Sequence, residues 1–154
     1  MANVDNKCSN LIVEDLYDES KTHLEDIYNL QKELQKSLGN DFENWTLNQI
    51  AEFWLLNSHC EVDETHEMFD ALGGINDGIG NSAWKKWKVK NKESYSMTIE
   101  SLSQSDLKEL KMEIIDKMHF FFNYAISIGM TPREIYNMYI SKNKENFDRQ
   151  KRGY

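Results

Sequence analysis

SDLKELKMEIIDKMHFFFNYAISIG, residues 105–129, decides the fold. Within it Leu107, Leu110, Ile114, Met118, Phe121, Phe122 and Ala125 recur every three or four residues. That spacing gathers apolar side chains on one face of an α-helix, and Gly129 follows as a stop. It predicts a helix from about Ser105 to Ile128, the most buried element of the protein. Immediately downstream, Thr131, Pro132 and Glu134 are spaced as cap, first helical residue and capping-box partner. The helix they open is expected to carry Ile135, Met138 and Tyr139 inward and then to turn polar and basic.

Towards the N-terminus, Asp18 to Leu38 places Leu24, Ile27, Gln31, Leu34 and Leu38 on one face, with Gly39 as the stop. Thr46 and Gln49 form a second capping-box pair, opening a helix that runs through Phe53, Leu56, Cys60 and Glu64 towards Leu72, where Gly73 and Gly74 break it. The four glycines of GGINDGIGNS, residues 73–82, oppose regular structure, and the short AWKKWKVK, residues 83–90, is both aromatic and cationic. YSMTIES, residues 95–101, is the best strand candidate and is short. The expected fold is all-α, a compact bundle of about five helices forming one domain over residues 1–154.

Composition agrees. One Pro and seven Gly in 154 residues, with 40% hydrophobic residues, exclude a disordered tail and a turn-rich β-sandwich. A formal charge of −8 disfavours a broad surface for duplex nucleic acid while leaving room for a local basic site. No apolar run reaches the roughly 18 residues of a membrane span, and the N-terminus lacks a signal peptide's basic and apolar regions. A soluble, intracellular, cytoplasmic protein is expected, with Cys8 and Cys60 as thiols.

Glu61, Glu64, Glu67 and Asp70 follow at three-residue steps, and Glu113 and Asp116 repeat the spacing. Neighbours in such a series lie on adjacent turns, where they form either a solvated acidic face or a cation site. Glu113 and Asp116 sit among Met112, Ile114, Ile115 and Met118, where carboxylates require basic partners or a metal. An all-oxygen site favours Mg²⁺, with Mn²⁺ as substitute. His119 is open to reading as a hydrogen-bonded core residue or a ligand. Trp84 and Trp87 around Lys85 and Lys86 fit either an amphipathic anchor or a base-stacking corner. Lys142, Asn146 and Arg149 recur at helical spacing in a tail that is either solvated or a phosphate-binding face.

These stretches together resemble the all-α dimeric dUTPase family, relatives of the MazG-type nucleoside triphosphate pyrophosphohydrolases. The matching segments are LQKELQ (30–35), CEVDETHEMFDAL (60–72) with AWKKWK (83–88), MEIIDKMHFF (112–121) and IYNMYISKNKENFDRQKRGY (135–154), in the family's order. The resemblance implies a homodimer that hydrolyses dUTP to dUMP and pyrophosphate, with Mg²⁺ assisting attack of water on the α-phosphorus. It implies metal ligands Glu64, Glu67, Glu113 and Asp116, with Glu67 also positioning or deprotonating the water; a register one step earlier uses Glu61 with Glu64 instead. By the same resemblance Lys142, Asn146, Arg149 and Tyr154 hold phosphates, and Gln31, Gln35, Trp84 and His119 line the uracil pocket. The chain departs from the family in carrying Gln35 where Asn is usual, in the glycine loop 73–82, and in a short stretch between His119 and Lys142. Two other readings are a MazG-like pyrophosphohydrolase of another nucleoside triphosphate and a non-catalytic helical binding protein.

Overall fold

A computed structural model describes residues 10, 12–20, 22–73 and 97–153. Among them are four α-helices and no strand: α1 (His23–Ser37), α2 (Leu47–Ala71), α3 (Gln104–Ser127) and α4 (Pro132–Lys151), with a 3-10 turn at Ile99–Ser101. The all-α expectation holds. The glycine loop from residue 74 on and the tryptophan–lysine segment lie outside the described residues, as do Cys8, Trp84 and Tyr154. The YSMTIES stretch ends in the 3-10 turn rather than a strand.

The helix ends follow local chemistry. Thr131 and Glu134 close a reciprocal capping box, the Thr131 N–H donating to Glu134 at 2.8 Å and the Glu134 N–H to Thr131 Oγ1 at 3.2 Å, with Pro132 in the first turn. Thr46 and Gln49 do the same at 2.9 and 3.3 Å. Gly39 and Gly129 end α1 and α3 at φ +88° and +71°, a left-handed conformation that costs glycine nothing. α1 starts later than the sequence pattern suggests. Asp18 accepts the Ser20 N–H at 3.0 Å and the Ser20 hydroxyl at 2.7 Å, an Asx turn that holds the chain out of the helix until His23.

The chain divides into two compact units, and α2 and α3 each contribute to both. One unit, residues 18–54 and 121–154, holds α1, α4 and a core of Tyr28, Phe122, Ala125, Ile126 and Ile135, flanked by Leu24, Phe42 and Met130. The Tyr28 hydroxyl donates to the Met130 carbonyl at 2.7 Å, and its ring meets Phe122 edge-on at 6.1 Å. Gln31 Nε2 donates to Asn123 Oδ1 at 2.7 Å, both side chains buried. These directed contacts correct the expected face of α1. Leu24, Tyr28, Gln31 and Gln35 turn inward, while Ile27, Leu30, Leu34 and Leu38 are exposed. The same correction applies to α4, where Ile135 is buried but Met138 and Tyr139 are exposed.

The other unit, residues 1–17 and 55–120, contains the C-terminal half of α2 and most of α3. Here too the inward face differs from the apolar stripe. Ile114 and Met118 are exposed, as are Leu56 on α2 and, in the first unit, Phe121. Leu110 and Ala71 are buried, and the most enclosed side chain is a carboxylate, Glu113.

Candidate active site

The acidic residues of α2 and α3 come together within the second unit. Carboxylate oxygens of Glu64, Glu67 and Glu113 lie within 4.8 Å of one another. α2 supplies the pair at i and i+3, hence on one side of the helix, and α3 supplies Glu113 opposite them. Glu113 is 1% exposed, and neither of its oxygens has a hydrogen-bond partner. The Glu64 carboxyl faces it, near enough to accept the Glu113 proton when Glu113 is neutral. Burial, together with the carboxyls of Glu64, Glu67 and Asp116, pushes Glu113 up to about 8. Glu67, which is exposed, is also raised, first by desolvation and then by Glu64, Glu109, Asp116 and Asp63.

An orphaned buried carboxyl costs free energy unless something positive meets it. Three convergent carboxylates of mixed burial fit a hard divalent cation, whose ligands are oxygens. Asp116, one turn beyond Glu113, adds to the field on both Glu67 and Glu113 but stands outside the 4.8 Å group, as does Glu61.

The remaining sequence-predicted residues are distributed between the units. Gln31 and Gln35 are buried on α1, Gln31 bonded to Asn123 and Gln35 Oε1 accepting from Asn40 at 2.9 Å. His119 is exposed on α3, in the unit of the carboxylates. Lys142 and Asn146 are exposed along α4, and half-buried Arg149 pairs with Glu145 at 3.1 Å. Glu145 also takes Arg152 at 2.7 Å. Two polar residues escaped the sequence reading. Asn123 is signalled by its place inside the apolar run FFFNYA, and Lys117, between Asp116 and Met118, donates from α3 to Thr65 on α2.

Together, the described residues make an all-helical fold in which carboxylates converge from two helices, a donor set that fits a divalent cation. No family model and no solved structure matches the chain. Among curated proteins it is 37% identical, over 97% of its length and 98% of the relative's, to a dCTP pyrophosphatase of Enterobacteria phage LZ5. It is 32% identical, over 91% and 87% of the two lengths, to a dCTP pyrophosphatase of Enterobacteria phage T4. A DNA replication protein of phage T4 is 30% identical over 84% of this chain, which spans 36% of that protein. The chain belongs to the family of these phage enzymes, the MazG-like nucleotide pyrophosphohydrolases allied to the all-α dimeric dUTPases. Its activity is nucleotide pyrophosphohydrolysis on a small-molecule nucleotide. No helix among the described residues is long and apolar enough to cross a membrane.

Proposed function

We propose that the protein is a Mg²⁺-dependent pyrophosphatase of deoxypyrimidine nucleoside triphosphates, taking dCTP first and dUTP second and releasing the monophosphate and pyrophosphate. The observation that carries the metal chemistry is the buried, partnerless carboxyl of Glu113 facing Glu64 and Glu67. The two phage relatives named dCTP pyrophosphatase support the cytosine base. dUTP is retained because the reader groups suit both bases. The carboxamides of Gln31 and Gln35 each carry donors and an acceptor, and rotation matches them to cytosine's amine and N3 or to uracil's carbonyl and imide N–H.

Glu64, Glu67, Glu113 and Asp116 would hold the ion, the register favoured by the grouping of Glu64, Glu67 and Glu113 and by the absence of Glu61 from it. A divalent cation bound there supplies positive charge against the triphosphate and acidifies coordinated water, and Mn²⁺ would substitute. Glu67, exposed yet raised by desolvation and then by its acidic neighbours, is the carboxylate suited to take the proton of the water that attacks the α-phosphorus. Glu113, enclosed, is suited to ligation alone. Lys142, Asn146 and Arg149 lie four and three residues apart on α4, a spacing that lines phosphate donors along one side, and Tyr154 would join them. Trp84 would pack on the base, and His119 would read its edge.

We further propose a homodimer. The exposed stripe Ile27, Leu30, Leu34 and Leu38 on α1 is an apolar face that a second copy would cover. Sedimentation should give twice the chain mass, and Leu30→Glu with Leu34→Glu should give the monomer; a wild-type monomer would refute the dimer. The activity is tested by pyrophosphate release with Mg²⁺ or EDTA. Glu67→Gln should abolish turnover and leave the helical spectrum unchanged, whereas retained turnover would remove Glu67 from the mechanism.

A further inference from the structure

Lys117 carries hydrogen bonds from α3 to α2 in the unit that holds the carboxylates. Half-buried, it donates to Thr65 Oγ1 at 2.8 Å and to the Glu61 carbonyl at 3.1 Å. The Thr65 hydroxyl in turn donates to that same Glu61 carbonyl at 2.7 Å, so three groups close a small ring. The ring abuts the acidic cluster in sequence on both sides. Thr65 follows Glu64, and Lys117 follows Asp116 and stands four residues, one turn, beyond Glu113.

Glu64, Glu67 and Glu113 repel one another when ionised, and that repulsion drives the two helices apart or past each other. The acceptors of Lys117 are a hydroxyl and a backbone carbonyl, both uncharged, so the contact fixes position rather than cancelling a particular carboxylate. A slip of one helical residue displaces Glu113 by about 1.5 Å along the helix axis relative to Glu64 and Glu67. Mg²⁺ requires near-octahedral ligation at about 2.0–2.1 Å, whereas Ca²⁺ accepts six to eight oxygens at about 2.3–2.6 Å in irregular arrangements. An offset of that size therefore spoils a Mg²⁺ site and is tolerated by Ca²⁺.

We infer that Lys117 and Thr65 form a latch that sets the axial offset of α2 and α3 and thereby the preference of the carboxylate site for Mg²⁺ over Ca²⁺. Lys117 is a positioning residue, acting through Glu64, Glu67 and Glu113; the inference rests on the metal-site reading above.

The test measures Mg²⁺ and Ca²⁺ binding to the full chain by calorimetry without nucleotide, for wild type, Lys117→Met, Thr65→Val and the double variant. Each single variant should lose roughly 10–100-fold in Mg²⁺ affinity, the range seen when a group supporting metal ligands is removed. Ca²⁺ affinity should change by less than about threefold. The double variant should be no worse than the more severe single one, because both remove the same latch. Thr65→Val keeps the side-chain volume and decides the matter where Lys117→Met does not fold. Parallel loss of both ions, or an unchanged Mg²⁺ to Ca²⁺ ratio, overturns the latch while leaving the metal site standing. A wild-type chain that binds neither ion overturns the metal-site reading itself, and the latch with it.

Discussion

Replacing Glu113 by Gln should stabilise the metal-free protein while abolishing its activity. In the unfolded chain Glu113 ionises near 4.5, whereas in the fold burial and the neighbouring carboxyls push it up to about 8. Between those values the native state holds a proton that the unfolded state has lost, so stability falls as pH rises from 4.5 to 8 and levels off above. Integrated to pH 7, the loss relative to pH 4 is about 3 kcal/mol. Glu113 is 1% exposed, so solvent screening offers little relief. Gln cannot ionise, keeps the shape, and removes this pH-dependent loss. In EDTA at pH 7, Glu113→Gln should melt roughly 6–12 °C above wild type, and at pH 4 the two should melt together. With saturating Mg²⁺ the order should narrow or reverse, because an ion that binds only the native wild type stabilises it alone. The assay is thermal unfolding followed by circular dichroism at pH 4, 5.5 and 7, with and without Mg²⁺. A variant less stable than wild type at pH 7 in EDTA would refute the reasoning, since Glu113 would then have a partner that Gln cannot replace.

Mg²⁺ binding at pH 7 should expel about one proton, because a carboxyl raised to about 8 must ionise to ligate; calorimetry in buffers of different ionisation enthalpy measures it, and zero release contradicts the orphaned carboxyl. Glu145→Gln removes the anion that pairs with Arg149 and Arg152, so the KM for nucleotide should fall two- to threefold if Arg149 serves the phosphates. Stability should move by less than about 0.5 kcal/mol, these pairs being exposed. Thr131→Ala removes the hydroxyl that accepts the Glu134 N–H, leaving the Thr131 backbone half of the α4 capping box, and should cost about 1 kcal/mol by urea unfolding, with turnover per folded molecule unchanged.

Helix identity and the helix ends marked by caps and glycines were legible in the sequence because they are local, whereas the start of α1 at His23 was not. The Thr131-Pro132-Glu134 start, the Thr46–Gln49 pair and the Gly39 and Gly129 stops each act within one turn, and each appears in the structure. The face that turns inward was not legible. Periodicity gives spacing, but α1 carries two adjacent stripes at the same spacing, and long-range bonds from Tyr28 to Met130 and Gln31 to Asn123 chose the polar one over the leucines. In α3 the same ambiguity set Ile114 and Met118 outward and Glu113 inward. The carboxylate spacing was readable within each helix, whereas the approach of Glu113 to Glu64 and Glu67 depends on how two helices pack. The Lys117–Thr65 contact depends on it equally. Base choice was the least legible feature, since the carboxamides of Gln31 and Gln35 carry donors and acceptors that suit uracil and cytosine alike.

The most direct test is pyrophosphate release from dCTP, dUTP, dTTP, dATP and dGTP, each with Mg²⁺ and with EDTA. Release is expected from dCTP and dUTP, fastest from dCTP, with little from the others and none in EDTA. Release that survives EDTA, or the absence of release from both dCTP and dUTP, would contradict this reading.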